Sequence, residues 1–336
     1  MTFDVDRLIR DYGDPWAEAR ACRAKCALFD FSFIARGRIR GPLALETLGR
    51  LTRRPLADLA PGKIRYAVRE TVKGHAAADL TIWRLEDGDF EVMSGRQQDI
   101  DDLVRMAPIG SATDLGHETA IAALQGPDAL AVLSKLSDPG PLARLAYFAN
   151  TRIKIGTIDC LVGRLGYTGE PGFELIVPKT DFQSLWSHLA QHATPAGFTA
   201  ADILRIEAGF VLFANEFQLP VTAREAGLAM FAGGHWIGGD AELALVAFRA
   251  LSSAPPGLWR PPRTLERVRR PGDIAVTSAC FSPLAEGILG LGYVRRADLE
   301  AGYAFTDPLG AFTCIKIVPR PYYDPGKRRP RTAWRA

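Results

Sequence analysis

The stretch GRLGYTGEPGFELIV, residues 163–177, sets a glycine-rich turn before a strand-like run in which Glu174 stands among Phe173, Leu175, Ile176 and Val177. Strand alternation puts Phe173, Leu175 and Val177 on one face and Glu174 with Ile176 on the other. With both faces apolar the strand should be largely buried. A buried carboxylate without a partner costs several kcal/mol or shifts its pKa, so Glu174 needs donors. Protein groups are the commoner source. A flat heterocycle with adjacent N–H and amine groups would also match a carboxylate in bidentate fashion, as a guanidinium does.

Asp79, in HAAADLTIWRL at residues 75–85, poses the same question. It shares a strand face with Ala77, Thr81 and Trp83, while Ala78, Leu80 and Ile82 lie opposite. The small alanines leave room for a ligand, and partial burial would move the carboxyl toward the range useful for proton transfer. The plainer alternative is a strand-end aspartate bonded to a turn. Tyr66 precedes Asp79 and Tyr167 precedes Glu174. Each suits either the flank of a planar ligand or ordinary packing.

Around these strands the pattern is mixed α+β. Asp14 followed by Pro15 reads as an N-cap and first helical residue for WAEARACRAKC. A helix PLALETLGRL, strands KIRYAVRE, AADLTIWRL and DFEVMSG, and a helix QDIDDLVRM follow, the signature of an antiparallel sheet with helices. A second unit begins with TAIAALQ and a helix entered at Gly126–Pro127, with Leu130, Leu133 and Leu136 at helical spacing. After the opening hairpin comes a helix striped by Phe182, Leu185, Trp186 and Leu189, then ADILRIEAGFVLF. The proline- and arginine-rich residues 252–272 read as a linker or long loop, and the short strands beyond it as a small C-terminal all-β domain.

The 336 residues, 47% hydrophobic and 24% charged, suit a soluble protein of two or three domains. No run approaches the roughly 20 apolar residues of a spanning helix, and the first residues carry no signal core, so a cytoplasmic protein without a membrane partner is expected. A net charge of +3 is too small to imply a nucleic-acid partner. The five cysteines form no CxxC pair and the five histidines no ligand cluster; no metal is expected. His188 and His192 are expected on the polar side of their helix. No Walker A, GxSxG or HExxH motif occurs, and ILGLGYV lacks the dinucleotide-loop spacing.

The hairpin resembles that of the glycine-cleavage T-protein (aminomethyltransferase) family of folate-dependent one-carbon transferases. The similarity continues in order through CALFDFS, GKIRYAV, AALQGPDAL, PAGFTAADILRIEAGF, VTSACFSP and PYYDP, over roughly residues 15 to 325. The resemblance implies a three-domain cloverleaf, with ferredoxin-like α/β units and a C-terminal all-β domain around a central folate channel. The domains would be 1–42 with 110–235, 43–109 carrying Asp79, and 236–336. It further implies that Glu174 pairs with the donor edge of a pterin, that Tyr66 and Tyr167 line the tetrahydrofolate site, and that Asp79 is the catalytic carboxylate. Tetrahydrofolate would be the co-substrate and a small amine or methylated compound the donor, with a carrier protein or a flavin oxidase as partner. With folate supplying the nucleophile, the protein has only to position two reactants and tune one carboxylate.

The chain also departs from the family's pattern. FSFIAR follows LFD where a His-Met-Gly run is usual, MSGRQQ replaces an Asn-rich segment, and Ala201 occupies the arginine position of PAGxGARD. These changes imply that folate is kept while the donor differs from that of glycine cleavage. Two alternatives are a non-enzymatic folate-binding protein of the iron–sulfur maintenance type and the folate subunit of a methylated-amine oxidising system. The first carries a cysteine in a KGC…GQE motif, where this chain reads GGHWIGGDAEL at residues 233–243.

Overall fold

A computed structural model describes residues 4–233, 241–252, 258–262 and 265–334. Most of the GGHWIGGDAEL segment and part of the proline-rich stretch lie outside the described residues. The chain divides into two compact units, one of residues Met1–Ala67, Asp79–Ala201 and Lys327–Ala336, the other of Val68–Ala78 and Asp202–Gly326. The fold is mixed α/β with three sheets.

The first unit holds a six-stranded sheet centred on Thr119–Gln125 and Gly172–Pro178. The latter strand, the Glu174 strand, is flanked by Thr119–Gln125 on one side and Ile158–Gly163 on the other, both antiparallel. Its Phe173, Leu175 and Val177 face a core closed by the helix Phe182–Ala190, whose Leu185 and Leu189 are buried. The alternation expected from FELIV is therefore present, with six of the strand's seven residues buried. The tail also belongs to this unit. Trp334 stacks on Phe173 at 5.2 Å between ring centroids, and the Arg164 guanidinium lies over the Trp334 ring at 5.0 Å.

A five-stranded sheet runs in the order Ile64–Glu70, Ala76–Glu86, Asp89–Ser94, Ala35–Arg40, Ala112–Asp114. One face carries Leu80, Ile82, Phe90, Val92 and Ile39 in a core that also takes Leu48 and Ile100 from the helices Ala44–Leu51 and Gln97–Met106. The first helix, Pro15–Ala24, starts as its sequence requires. Asp14 accepts hydrogen bonds from the Trp16 and Ala17 amides at 2.9 and 3.0 Å, meeting donors that the first turn leaves unpaired.

Two helices are shorter than their periodicity suggests. The one entered at Gly126–Pro127 spans only Ala129–Leu133. The Ser134 and Ser137 hydroxyls turn back onto the Leu130 and Leu133 carbonyls, the local competition that weakens helices at serine. The ADILRIEAGFVLF helix is Phe198–Glu207, ended by Gly209 at φ +68°, and a separate short helix, Phe213–Glu216, follows.

The second unit contains a four-stranded antiparallel sheet of Leu243–Ser252, Ile274–Ser282, Gly287–Arg295 and Phe312–Val318, with the short helix Arg296–Glu300. Four cysteines are buried, Cys314 is exposed, and all five are free thiols. His188 and His192 are exposed as expected, but the helix ends at Ala190, so His192 lies beyond it. Among the described residues no helix is long and apolar enough to cross a membrane, and no group of three or more candidate ligands is placed to hold a metal.

Candidate functional site

Glu174 is 7% exposed, and among the described residues no donor bonds its carboxylate. Burial pushes its pKa from the usual carboxylate range up to about 7. Directly opposed residues in an antiparallel pair present their side chains to the same face. Glu174 opposes Gly163 on one neighbour and Ala123 on the other, so the two positions beside the carboxylate carry almost no side chain.

Gly163 also admits Trp83. A Cβ at Gly163 would lie 2.1 Å from Trp83 Cη2, so only glycine allows the indole to rest there. Trp83 is fully buried and donates its Nε1–H to Thr81 Oγ1 at 3.1 Å. It stands on the Ala76–Glu86 strand, on the same face as Thr81 and Asp79. Asp79 is half-buried and accepts a hydrogen bond from Tyr66 Oη at 3.2 Å. The non-core face of the five-stranded sheet, carrying Asp79, thus meets the Glu174 face of the six-stranded sheet through one tryptophan. Asp79 lies four residues from Trp83, about 13 Å along the strand.

Tyr167 lies in the loop between Gly163 and Gly172 and is half-buried. Gln125 shapes that loop. Its Nε2 donates to the Leu165 and Phe173 carbonyls at 3.1 and 3.4 Å, and its Oε1 accepts from Thr168 Oγ1 at 3.1 Å. A Cβ on Gly166 or Gly172 would strike this amide, at 1.8 and 2.6 Å, which explains two of the hairpin's glycines. Glu170, in contrast to Glu174, is paired, with Arg23 at 3.2 Å and Arg329 at 3.0 Å.

Two residues beside these were not legible in the sequence. Arg36, 5% exposed, opposes Met93, which opposes Thr81, so it shares the Asp79 face. Its Nε donates to Glu91 at 2.8 Å, and its Nη1 is a buried donor with no partner among the described residues. Tyr147 is the second. Its phenol is pushed up to about 12, chiefly by burial, with the Glu174 charge raising it and Arg331 and Arg164 opposing. An Arg in FSFIAR and a Tyr in a loop carry no local signal of either position. Ala201, where the family's pattern has arginine, is a buried methyl on the helix Phe198–Glu207.

The family model described as GCVT N-terminal domain matches residues 14–233. A probable aminomethyltransferase of Natronomonas pharaonis is 35% identical over 308 residues, covering 85% of this chain and 84% of that relative. An aminomethyltransferase of Streptomyces coelicolor is 31% identical and covers 93% of this chain and 90% of its own. The crystal structure of glycine cleavage system aminomethyltransferase T from Bartonella henselae superposes with a TM-score of 0.71 at 25% identity, covering 86% of this chain and 84% of that one. The chain belongs to the glycine-cleavage T-protein, or aminomethyltransferase, family of folate-dependent transferases, as a divergent member.

Proposed function

We propose that this protein transfers a one-carbon unit from a small amine or methylated donor to tetrahydrofolate, with Glu174 holding the pterin and Asp79 acting on the reacting end. The observation that carries the reading is the Glu174 carboxylate, buried and without a donor among the described residues. A pterin edge would supply two N–H donors to it. Such charge-assisted bonds favour the ionised form, returning the carboxyl toward its ordinary range. Ala123, in register beside it, carries only a methyl, and the Trp83 indole resting on Gly163 would form one wall against a planar ring.

Tetrahydrofolate supplies the nucleophilic nitrogen when bound. Asp79, steadied by the Tyr66 hydroxyl, would hold or take the proton that the transfer releases. Tyr66 and Tyr167 would flank the folate, and the buried Arg36 Nη1 offers a further donor on the Asp79 face. In this reading the chain is organised as 1–42 with 110–235, 43–109 and 236–336, the first of these also lending the strands Ala35–Arg40 and Ala112–Asp114 to the five-stranded sheet. The partner delivering the donor would be a carrier protein or a flavin oxidase of methylated amines.

The test pairs binding with turnover. Glu174→Ala should weaken tetrahydrofolate at least about a hundredfold in a calorimetric titration, the worth of two charge-assisted hydrogen bonds. Asp79→Asn should keep folate affinity within a few-fold while slowing product formation from a panel of methylated and aminomethyl donors by about 10²–10⁴. Binding indifferent to Glu174 would sink the reading. Ala201 in place of arginine favours a second one, a non-enzymatic folate-binding protein. Folate binding with no product from any donor of the panel would favour that alternative.

A further inference from the structure

A cavity of about 140 Å³ lies in the first unit, walled by Tyr12, Phe29, Phe31, Phe33 and Phe198, with Asp30 and Ser32 among its polar lining. Five of twelve lining residues are aromatic in a chain that is 9% aromatic, so the wall is not an average surface. The rings are arranged in series. Phe29 and Phe31 are 5.7 Å apart, Phe31 and Phe33 5.6 Å at 65°, and Phe33 and Phe198 5.7 Å at 79°. The first pair is tilted at 33° and the other two meet edge to face, so rings in several orientations line the space.

The N-terminal segment closes the other side and is fastened there. The Phe198 and Thr199 amides donate to the Ile9 and Arg10 carbonyls at 2.8 and 2.9 Å, and a Cβ at Gly197 would strike the Arg10 carbonyl at 2.3 Å. One carboxylate lines the space, the exposed Asp30, whose Oδ1 accepts from the Ser32 amide at 2.9 Å; behind the lining the buried Glu18, its pKa raised by burial, accepts from the amides of Tyr12 and Gly197 at 2.6 and 2.9 Å. The Tyr12 phenol records this field, being raised by burial and then by the Asp30 and Glu18 charges. The one cation among the lining residues, Arg7, is engaged by Asp4 at 3.2 Å.

Aromatic walls with a carboxylate beside them are the chemistry that holds an organic cation, because the ring faces are electron-rich and the methyl groups of such a cation are apolar. A space of this size suffices, since a cavity of about 150 Å³ holds benzene. We infer that this cavity binds a methylated ammonium group. FSFIAR, one of the places where the sequence leaves its family's pattern, supplies Phe31, Ser32 and Phe33. Phe29 opposes Ala123, which opposes Glu174, so the cavity stands about 10 Å, two strand spacings, from the Glu174 strand of the same sheet. If the transfer reading above holds, the inference names the donor class as a methylated amine; the site itself does not depend on folate.

The test is a titration of the full chain with tetramethylammonium chloride at constant ionic strength, against tert-butanol as a neutral body of similar shape. Wild type should bind the cation about tenfold more tightly than the alcohol. Phe33→Leu, which keeps apolar volume and removes the ring, and Asp30→Asn should each weaken the cation several-fold and leave the alcohol unchanged. Glu174→Gln should leave cation binding intact, which separates this site from the folate reading. Equal binding of cation and alcohol, no saturable binding of the cation, or a neutral Phe33→Leu variant with wild-type thermal stability would overturn the inference.

Discussion

Two glutamates are buried in this chain in opposite ways. Glu216, in the second unit, is fully buried and satisfied on both oxygens. Its Oε1 accepts from Thr277 and Ser278 hydroxyls at 2.8 and 2.5 Å, and its Oε2 from Arg205 Nη1 and the Leu212 amide at 2.9 and 2.6 Å. Arg205 is equally enclosed, bonded in addition to Asp202 at 2.6 Å and to Ser278 Oγ at 2.6 Å. Glu174, in the first unit, is almost as deeply buried, with its neighbours in register reduced to Gly163 and Ala123. The folded chain supplies every donor to one carboxylate and none, among the described residues, to the other. A charge that the protein itself completes holds structure together, and the one left incomplete is the carboxylate that the proposed function gives to the pterin.

The largest effect is expected from truncating the satisfied glutamate. Glu216→Ala takes away one of the two carboxylates that Arg205 bonds and strands the buried Thr277, Ser278 and Leu212 donors, which should lower stability by about 3–5 kcal/mol in chemical denaturation. A loss below about 1 kcal/mol would mean that the network is not structural.

Glu174→Gln should move stability the other way, and with pH. The folded carboxyl titrates near 7, above its ordinary value of 4.5, so the native state binds more protons between those values. Wild-type stability therefore falls as pH rises from about 4.5 through 7, by about 3 kcal/mol in total. The glutamine variant lacks this decline. It should match wild type near pH 4 and exceed it at pH 8, while losing tetrahydrofolate affinity. Denaturation curves across pH 4–8 check the sign, and parallel pH profiles for the two proteins would count against a solvent-excluded, unpaired carboxyl.

A smaller effect is expected at the contact beside Glu174. Gly163→Ala drives a methyl into the Trp83 ring, an overpacking that should cost about 1–3 kcal/mol and shift the indole emission. Displacing Trp83 should also weaken folate binding, whereas an alanine accommodated with unchanged fluorescence would remove Trp83 from the site.

Much of the local architecture was legible in the residues. Period-two alternation in FELIV identified the buried face and left Glu174 on the other, and Asp14 with Pro15 fixed the start of the first helix. The ordered stretches shared with the family led to the fold, because a glycine turn, a helix entry and a strand carboxylate recurring in one sequence order constrain topology as no single motif can. Helix ends were less legible, since the back-bonded serines after Leu133 and the left-handed Gly209 stop helices whose apolar spacing continues.

The residues alone mark Glu174 as a carboxylate in a buried strand and put Tyr66 and Asp79 on successive strands. What surrounds them follows from the folded chain, which also pairs those two strands side by side. Trp83 reaches Gly163 across eighty residues of chain, the Arg36 donor is left over on the Asp79 face, and Arg205 finds Ser278 while Glu174 finds no donor among the described residues. Periodicity reports which way a side chain points, because it follows from local backbone geometry. Whether a partner meets that side chain depends on strand register and on segments brought together from far along the chain, and these are set only when the cores close.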